Sequence, residues 1–293
     1  MTLLVLGAGG QVGRALCRLA AARGIPCRGL DRRALDITDR AAVAAAVAVA
    51  GLVVNAAAYT AVDQAEREPE AAYAANRDGV ANLAEACAAA GRPLLQLSTD
   101  YVFDGERTAA YRESDAVNPL SIYGASKAAG EAALRQRLPA HLILRTAWVF
   151  AATGHNFVRT MLRLGRERRE IRVVADQIGG PTAAADVAAA ILTMAAAAAK
   201  PGFSAWGTFH FAGAPPTSWY GLAQAVLEGR SSARLTAIAT ADYPTPARRP
   251  LRAVLDCTRI AAAFGIAQPQ WRQSLRQVLR EIDQGAEVPG RVD

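Results

Sequence analysis

The chain has 293 residues, 52% of them hydrophobic, and a formal net charge of +7 from 33 basic and 26 acidic side chains. Such a chain buries a large core, as one elaborated domain or two lobes, which excludes a disordered or low-complexity protein. The excess charge is arginine dispersed without interleaved aromatics, which argues against nucleic acid and suits an anionic small molecule.

Thr2 to Leu6 form a short apolar run, followed by Gly7-Ala-Gly9-Gly10-Gln-Val-Gly13 and then the helical pattern of Arg14 to Arg23. Strand, glycine turn and helix in this order allow the backbone to approach a pyrophosphate at a helix N-terminus. Glycines alone are weak evidence, and the flanking strand and helix supply the context. A second apolar stretch ends at Leu30-Asp31, the distance at which an acidic residue commonly accepts from an adenosine ribose. Asp31 favours NAD, whereas Arg32 and Arg33 suit a 2′-phosphate or simply a charged surface turn, so either nicotinamide dinucleotide fits. Asp36 lies within reach of an adenine amino group, with Ile37 beside it.

The run from Ala41 to Ala58 lacks charge, yet Gly51 and Asn55 interrupt it, and alanine is only weakly apolar. It reads as a helix followed by a strand, Leu52 to Asn55, and not as a membrane span. Pro93 to Ser98 and His141 to Thr146 are further buried-strand candidates separated by alanine-rich helices. Alternation of this kind predicts an α/β fold, a Rossmann-type doubly wound parallel sheet with ligands at the carboxyl ends of its strands. Asn55 to Thr60 and Ser98-Thr99-Asp100 stand at such ends. After residue 146 the rhythm loosens, with loops at Gly179-Gly180-Pro181-Thr182, Gly213-Ala-Pro215-Pro216 and Pro244-Thr-Pro246. Residues 1–146 are therefore read as mainly a dinucleotide domain, and 147–293 as mainly a smaller α/β substrate lobe with segments returning to the first. Arg163, Arg166, Arg168, Arg169 and Arg172 read as a solvated face.

Cys17, Cys27, Cys87 and Cys257 show no short paired spacing, and His141, His155 and His210 form no metal-ligand pattern. The expectation is a reducing cytoplasm and no structural zinc. No basic leader precedes the first apolar run, so no targeting segment is expected.

Only two of the 33 basic residues are lysines, and one of them lies four positions after a tyrosine in Tyr123-Gly-Ala-Ser-Lys127. Residues four apart share a helix face. A compact ammonium can approach a phenol closely, favour its ionised form and bring it toward a useful acid strength, whereas guanidinium is a broad fork suited to oxyanions. By spacing alone the pair fits equally well an ordinary helix face with Lys127 in water.

Gly7-x-x-Gly10-x-x-Gly13, Asn55-Ala-Ala-Ala, Ser98-Thr99-Asp100-Tyr101-Val-Phe and Tyr123-x-x-x-Lys127 together resemble the extended short-chain dehydrogenase/reductase family. Asn55 through Asp63, Arg145-Thr-Ala-Trp148-Val-Phe, Asn156-Phe157, Asp176-Gln177 with Pro181-Thr182, and Pro244 through Pro250 resemble its dTDP-4-dehydrorhamnose reductase branch, nearly end to end. The resemblance implies NADPH or NADH as cofactor and reduction of the 4-keto group of a dTDP-4-keto-6-deoxy sugar. Tyr123 would donate the proton, Lys127 would hold the nicotinamide ribose and depress the Tyr123 pKa, and Thr99 would hydrogen-bond the carbonyl. Gly7, Gly10, Gln11, Val12 and Gly13 would cradle the pyrophosphate; Asp31, Arg32, Asp36 and Ile37 would hold the adenosine; and Ala58, Tyr59 and Thr60 would hold the middle of the cofactor. Asp100, Trp148 and Asn156 would face the sugar, and Arg249 the diphosphate, although Trp148 also fits a core aromatic and Arg249 a loop arginine. Asn76 either ties its helix to the site or sits in water.

Some relatives bridge subunits through Mg²⁺, but here Arg14 and Ala15 follow the glycines and Ala183-Ala-Ala185 follows Thr182. A divalent ion needs several hard oxygen ligands. No metal is therefore expected, and the chain is read as a monomer or homodimer with no membrane or nucleic-acid partner. Two other readings stay open: a reductase of another nucleotide-linked 4-keto-6-deoxy sugar, and a noncatalytic dinucleotide-binding regulatory subunit. The intact Tyr123 and Lys127 argue against the second.

Overall fold

Five of the short runs fold as parallel strands: β1 (Leu3–Leu6), β2 (Cys27–Leu30), β3 (Leu52–Asn55), β4 (Leu94–Thr99) and β5 (His141–Thr146). The structure, a computed structural model, describes residues 2–285. A sixth parallel strand, Gly207–His210, lies beyond β5, so that the order across the sheet is β2, β1, β3, β4, β5 and this last strand.

The apolar runs of β1, of Leu52 to Val54 in β3 and of Leu142 to Leu144 in β5 follow from burial on both faces. Leu3, Val5, Leu52, Val54, Leu95, Leu142 and Leu144 fill one core with Leu16 and Ala20 of helix α1 (Gln11–Ala22) and with Val187 and Ile191 of the Ala184–Ala198 helix. Alternate residues Leu4, Leu6, Val53, Leu94 and Ile143 fill the opposite core with Val43 of helix α2 (Arg40–Ala48) and with Leu83 and Leu134. β2 is the exception. It runs along the sheet edge with Arg28 and Gly29 exposed, so its sequence is less apolar than its neighbours.

Chain direction across the sheet reverses at β1, which sends β2 to one side and β3 to the other. A crevice opens at such a point beyond the strand ends. The loops after β1 and β3 pack closely there: a Cβ on Gly7, whose φ is +74°, would lie 2.5 Å from the Ala57 amide nitrogen. Only glycine fits that approach.

Residues 147–285 contribute to two layers. The Ala184–Ala198 helix and the Gly207–His210 strand complete the main sheet and its cover. The remainder builds a second core from Phe150, Val158, Met161, Ile171, Val173, Leu222, Val226, Trp271 and Leu275. Its strands Glu170–Val174 and Arg234–Ile238 pair in parallel, apart from the main sheet. Among the described residues no helix is long and apolar enough to cross a membrane.

Candidate active site

The turn after β1 has the shape of an anion cradle. Helix α1 begins after Gly10 with no side chain capping its first amides and no acidic residue in its first turn, which leaves its positive end for a ligand. Gly13 is buried against the same turn, where an added Cβ would lie 2.2 Å from the Gly7 carbonyl oxygen. These features fit a dinucleotide pyrophosphate. Val12 is half-buried beside them, and the Gln11 side-chain oxygen accepts from Asn156 Nδ2 at 3.0 Å, a contact that joins the glycine turn to the second core.

Past β2, the Asp31 carboxylate accepts from the amides of Arg33 and Ala34 at 3.0 Å each, and so shapes the turn. Asp36 accepts from the Thr38 amide at 2.9 Å and from its hydroxyl at 2.8 Å, and Arg32 approaches it at 3.4 Å in solvent. These hydrogen bonds hold the Asp36 carboxyl below the usual range. Ile37 is a core side chain against Gly79, where an added Cβ would lie 2.6 Å from it.

The loop after β3 carries Ala58, Tyr59 and Thr60 along the crevice. Its path is fixed by Asn76, which is buried, not solvated. The Asn76 side chain accepts from the Tyr59 amide at 2.9 Å, donates to the Tyr59 carbonyl at 3.0 Å, and donates to Ser126 Oγ at 2.9 Å. Ser126 in turn donates to the Tyr123 carbonyl at 2.8 Å. Asn76 sits in a π-helical segment, Ala74–Asp78, a local widening that often marks a functional position.

The Tyr123 helix, Ile122–Arg137, starts on a Ser121 cap whose hydroxyl accepts from the Gly124 amide at 3.2 Å. Gly124 is needed because a Cβ there would lie 2.2 Å from the Tyr101 carbonyl oxygen. This close approach brings Tyr123 to the end of β4. Its ring meets Tyr101 edge-on with centroids 5.6 Å apart, and its phenol lies beside Thr99 and Asp100. Burial pushes the Tyr123 phenol up to about 12; the Thr99 hydroxyl opposes the rise and the Asp100 charge adds to it. Lys127, also buried, donates to the Leu97 carbonyl at 2.7 Å, and burial brings its ammonium down to about 8 against the opposing pull of Glu131. This corrects the expectation that Lys127 draws the phenol toward neutrality. The Thr99 hydroxyl, not the ammonium, is the group that counteracts the desolvation of Tyr123.

Asp100 is 2% exposed. One of its oxygens accepts from Thr99 Oγ1 at 3.1 Å, while Oδ2 is buried without a hydrogen-bond partner. Burial pushes this carboxyl up to about 7, with the Thr99 hydrogen bond opposing. A buried orphan acceptor calls for a donor.

Trp148 alone among the described non-glycine residues has a left-handed backbone, φ +47°. Such strain persists only where packing enforces it. Its indole stacks on Trp219 with centroids 3.5 Å apart and lies over Gly179, where a Cβ would come within 2.5 Å of the ring. Asn156 is more committed than its sequence position suggested: it caps the Phe157–Glu167 helix by accepting from the Arg159 amide at 3.2 Å, besides holding Gln11. Arg249 is not a free loop cation either. Its guanidinium is clasped by Asp63 at 2.7 and 3.1 Å and holds the Ala247 carbonyl at 3.0 Å.

Sequence reasoning missed Glu131 and Arg145. Both are 1% exposed, and they meet through two hydrogen bonds of 2.9 and 2.6 Å. Arginine inside the apolar run of β5 was the available signal, because a buried charge requires a partner.

A family model described as the RmlD substrate binding domain matches residues 1–284. A dTDP-4-dehydrorhamnose reductase of Aggregatibacter actinomycetemcomitans is 43% identical over 286 residues, covering 94% of this chain and 97% of the relative. The chain belongs to the dTDP-4-dehydrorhamnose reductase family. Among solved members, the reductase of Clostridium acetobutylicum superposes with TM-score 0.91 at 35% identity, covering 97% of this chain and all of that one. The Bacillus anthracis reductase, solved in complex with NADP, gives TM-score 0.90 at 34% identity over 96% of this chain and 100% of that chain. Family membership agrees with the Rossmann-type sheet.

Proposed function

We propose that this protein reduces the 4-keto group of dTDP-4-dehydro-L-rhamnose to give dTDP-L-rhamnose, as an NAD(P)H-dependent oxidoreductase at the last step of dTDP-L-rhamnose biosynthesis. The observation that carries this reading is the convergence of Thr99, Tyr123 and Lys127 at the carboxyl end of β4, beside a glycine turn fit for a dinucleotide, in a chain of this family.

When bound, NAD(P)H supplies the hydride. Gly7, Gly10, Gln11, Val12 and Gly13 hold the pyrophosphate, the turn at Asp31 and Arg32 meets the adenosine ribose, and Ala58, Tyr59 and Thr60 line the middle of the crevice. Tyr123 directs its hydroxyl at the sugar carbonyl, and Thr99 turns to the carbonyl the proton that otherwise rests on Asp100. As negative charge builds on O4, Tyr123 gives up its proton; a phenol held near 12 is protonated throughout the neutral range and remains a stronger acid than the alcohol formed. Each such donor contributes on the order of 3 kcal/mol to transition-state stabilisation. Lys127 places a positive charge by the nicotinamide ribose. The unpartnered Asp100 oxygen suits a sugar hydroxyl. Trp148 walls the sugar side, and residues 147–293 supply most of the substrate lobe. Asn156 and Arg249 act through the structure around the sugar nucleotide, the one by fixing Gln11 and the other by pinning the 245–249 loop to Asp63. The enzyme acts in the cytoplasm as a monomer or homodimer.

Purified protein mixed with dTDP-4-keto-6-deoxy-L-mannose should consume NADPH or NADH, read as loss of the absorbance of the reduced nicotinamide. A simple ketone should give no loss. No consumption with the sugar nucleotide refutes the assignment.

Gly13→Ala tests the cradle separately. Its Cβ would crowd the Gly7 carbonyl oxygen at 2.2 Å and the Ala8 Cα at 2.7 Å. Overpacking by one methyl in a rigid site costs about 1–3 kcal/mol, so NADPH affinity should fall about tenfold or more. An unchanged dissociation constant in a fluorescence titration would place the dinucleotide elsewhere.

A further inference from the structure

Behind Lys127 lies a polar cluster that none of the steps above uses. Lys127 and Glu131 are one helical turn apart on the same face of the Tyr123 helix, and they grip consecutive residues of β4. Lys127 Nζ donates to the Leu97 carbonyl at 2.7 Å, and Ser98 Oγ donates to Glu131 at 2.6 Å. The next residue along the strand is Thr99. Ser98 pairs in register with Arg145 on β5, and Arg145 with His210 on the edge strand. Arg145 donates twice to Glu131, at 2.9 and 2.6 Å, and Arg135 donates to it at 2.7 Å.

Resting on the reading that Lys127 serves the reaction as a cation, we infer that Glu131 is a positioning residue: the ionised carboxylate behind Lys127 that keeps its ammonium charged and seated on the carboxyl end of β4.

The charges around Lys127 leave this role to Glu131. The Tyr123 helix contributes Tyr123, neutral at ordinary pH, together with Glu131 and Arg135. β4 and its exit contribute Asp100 and Tyr101, β5 contributes Arg145, and the edge strand contributes His210, which burial and the Arg145 charge bring down to about 3 and therefore keep neutral. Asn76, from the π-helical segment packed against this helix, and Ser126, on the helix itself, carry no charge. Burial opposes ionisation of Glu131, but the Arg145 hydrogen bonds and charge, Ser98 and Arg135 more than offset it and hold the carboxyl below its usual value. Only Glu131 raises the Lys127 titration against its desolvation. With Glu131 neutralised, Arg135 and Arg145 would remain as uncompensated cations facing a third.

Because Lys127 and Lys200 are the only lysines, protein labelled with carbon-13 at lysine Cε gives two side-chain signals, and Lys200→Arg assigns them. In the unmodified protein the Lys127 signal should titrate at about 8. Glu131→Gln keeps the shape and removes the charge, and should move the midpoint down by about one pH unit. Arg135→Gln removes a cation from the far side of Glu131 and should move it up, by about half a unit. Opposite signs from two neighbouring substitutions are what a charge effect gives and a packing defect does not. Should Glu131→Gln fail to fold, Arg135→Gln alone decides. An unmoved midpoint in the folded variants, or a fall with Arg135→Gln, overturns the role of Glu131. The titration needs neither substrate nor turnover, so its failure is distinguishable from failure of the reductase reading, which the NAD(P)H assay decides.

Discussion

Tyr123→Phe is expected to lower kcat about 10²- to 10⁴-fold, the range over which a positioned general acid contributes, and to leave NADPH affinity nearly unchanged. The phenyl ring retains the edge-on contact with Tyr101, whose centroid lies 5.6 Å away, so the helix start and the Gly124 approach should survive. What is lost is the hydroxyl beside Thr99 that has the proton to give. Thr99→Val should be damaging for a related reason, because it removes the group that opposes the desolvation of the phenol. The double variant should be little worse than Tyr123→Phe alone, since residues that act as a unit are not additive. Single-turnover kinetics with a saturating sugar nucleotide separates the chemical step from binding. A Tyr123→Phe protein that turns over at the unmodified rate would remove the phenol from the mechanism.

Much of this site was legible because its chemistry is written in local spacing. Glycines between an apolar run and a helical pattern have few structural uses, and Tyr123 and Lys127 share a helix face at any register. Strand ends were legible too: Asn55 and Thr99 close β3 and β4, next to the crevice. What stayed hidden depends on long-range contacts. Glu131 and Arg135 look like a solvated helix pair, and nothing local says that Arg145, 14 positions after Glu131, turns its guanidinium onto that carboxylate. The ion pair of Arg249, read from sequence as a diphosphate ligand or a loop arginine, stayed hidden because Asp63 lies 186 positions away. Asn76 was undecided between water and the site, because its role depends on Tyr59 and Ser126, 17 and 50 positions away. The acid strength of Tyr123 was misjudged for a similar reason. Spacing reports which charge is near but not how much water burial removes, and at Tyr123 desolvation is the larger effect.

Arg145→Met should destabilise the fold by about 3–5 kcal/mol, the cost of leaving a buried charge without its partner. Glu131 would keep Ser98 and the partly exposed Arg135 but lose the two hydrogen bonds that most strongly hold it ionised. The pH dependence has a definite sign. In the unmodified protein the Glu131 pKa is depressed on folding, so its contribution is present above the unfolded value and is lost as pH falls through the folded one. In Arg145→Met, burial dominates and raises the folded pKa, so the carboxyl favours folding most when protonated, and stability declines as pH rises. The difference between the two proteins should therefore be widest near neutrality and narrow in mild acid. Urea unfolding at both pH values measures it, and an equal difference at each would trace the loss to packing instead of charge. The double variant Arg145→Met with Glu131→Leu should recover much of the lost stability at neutral pH, because an apolar pair of similar volume leaves nothing ionised to bury. It should not recover turnover, since no carboxylate would then stand behind Lys127.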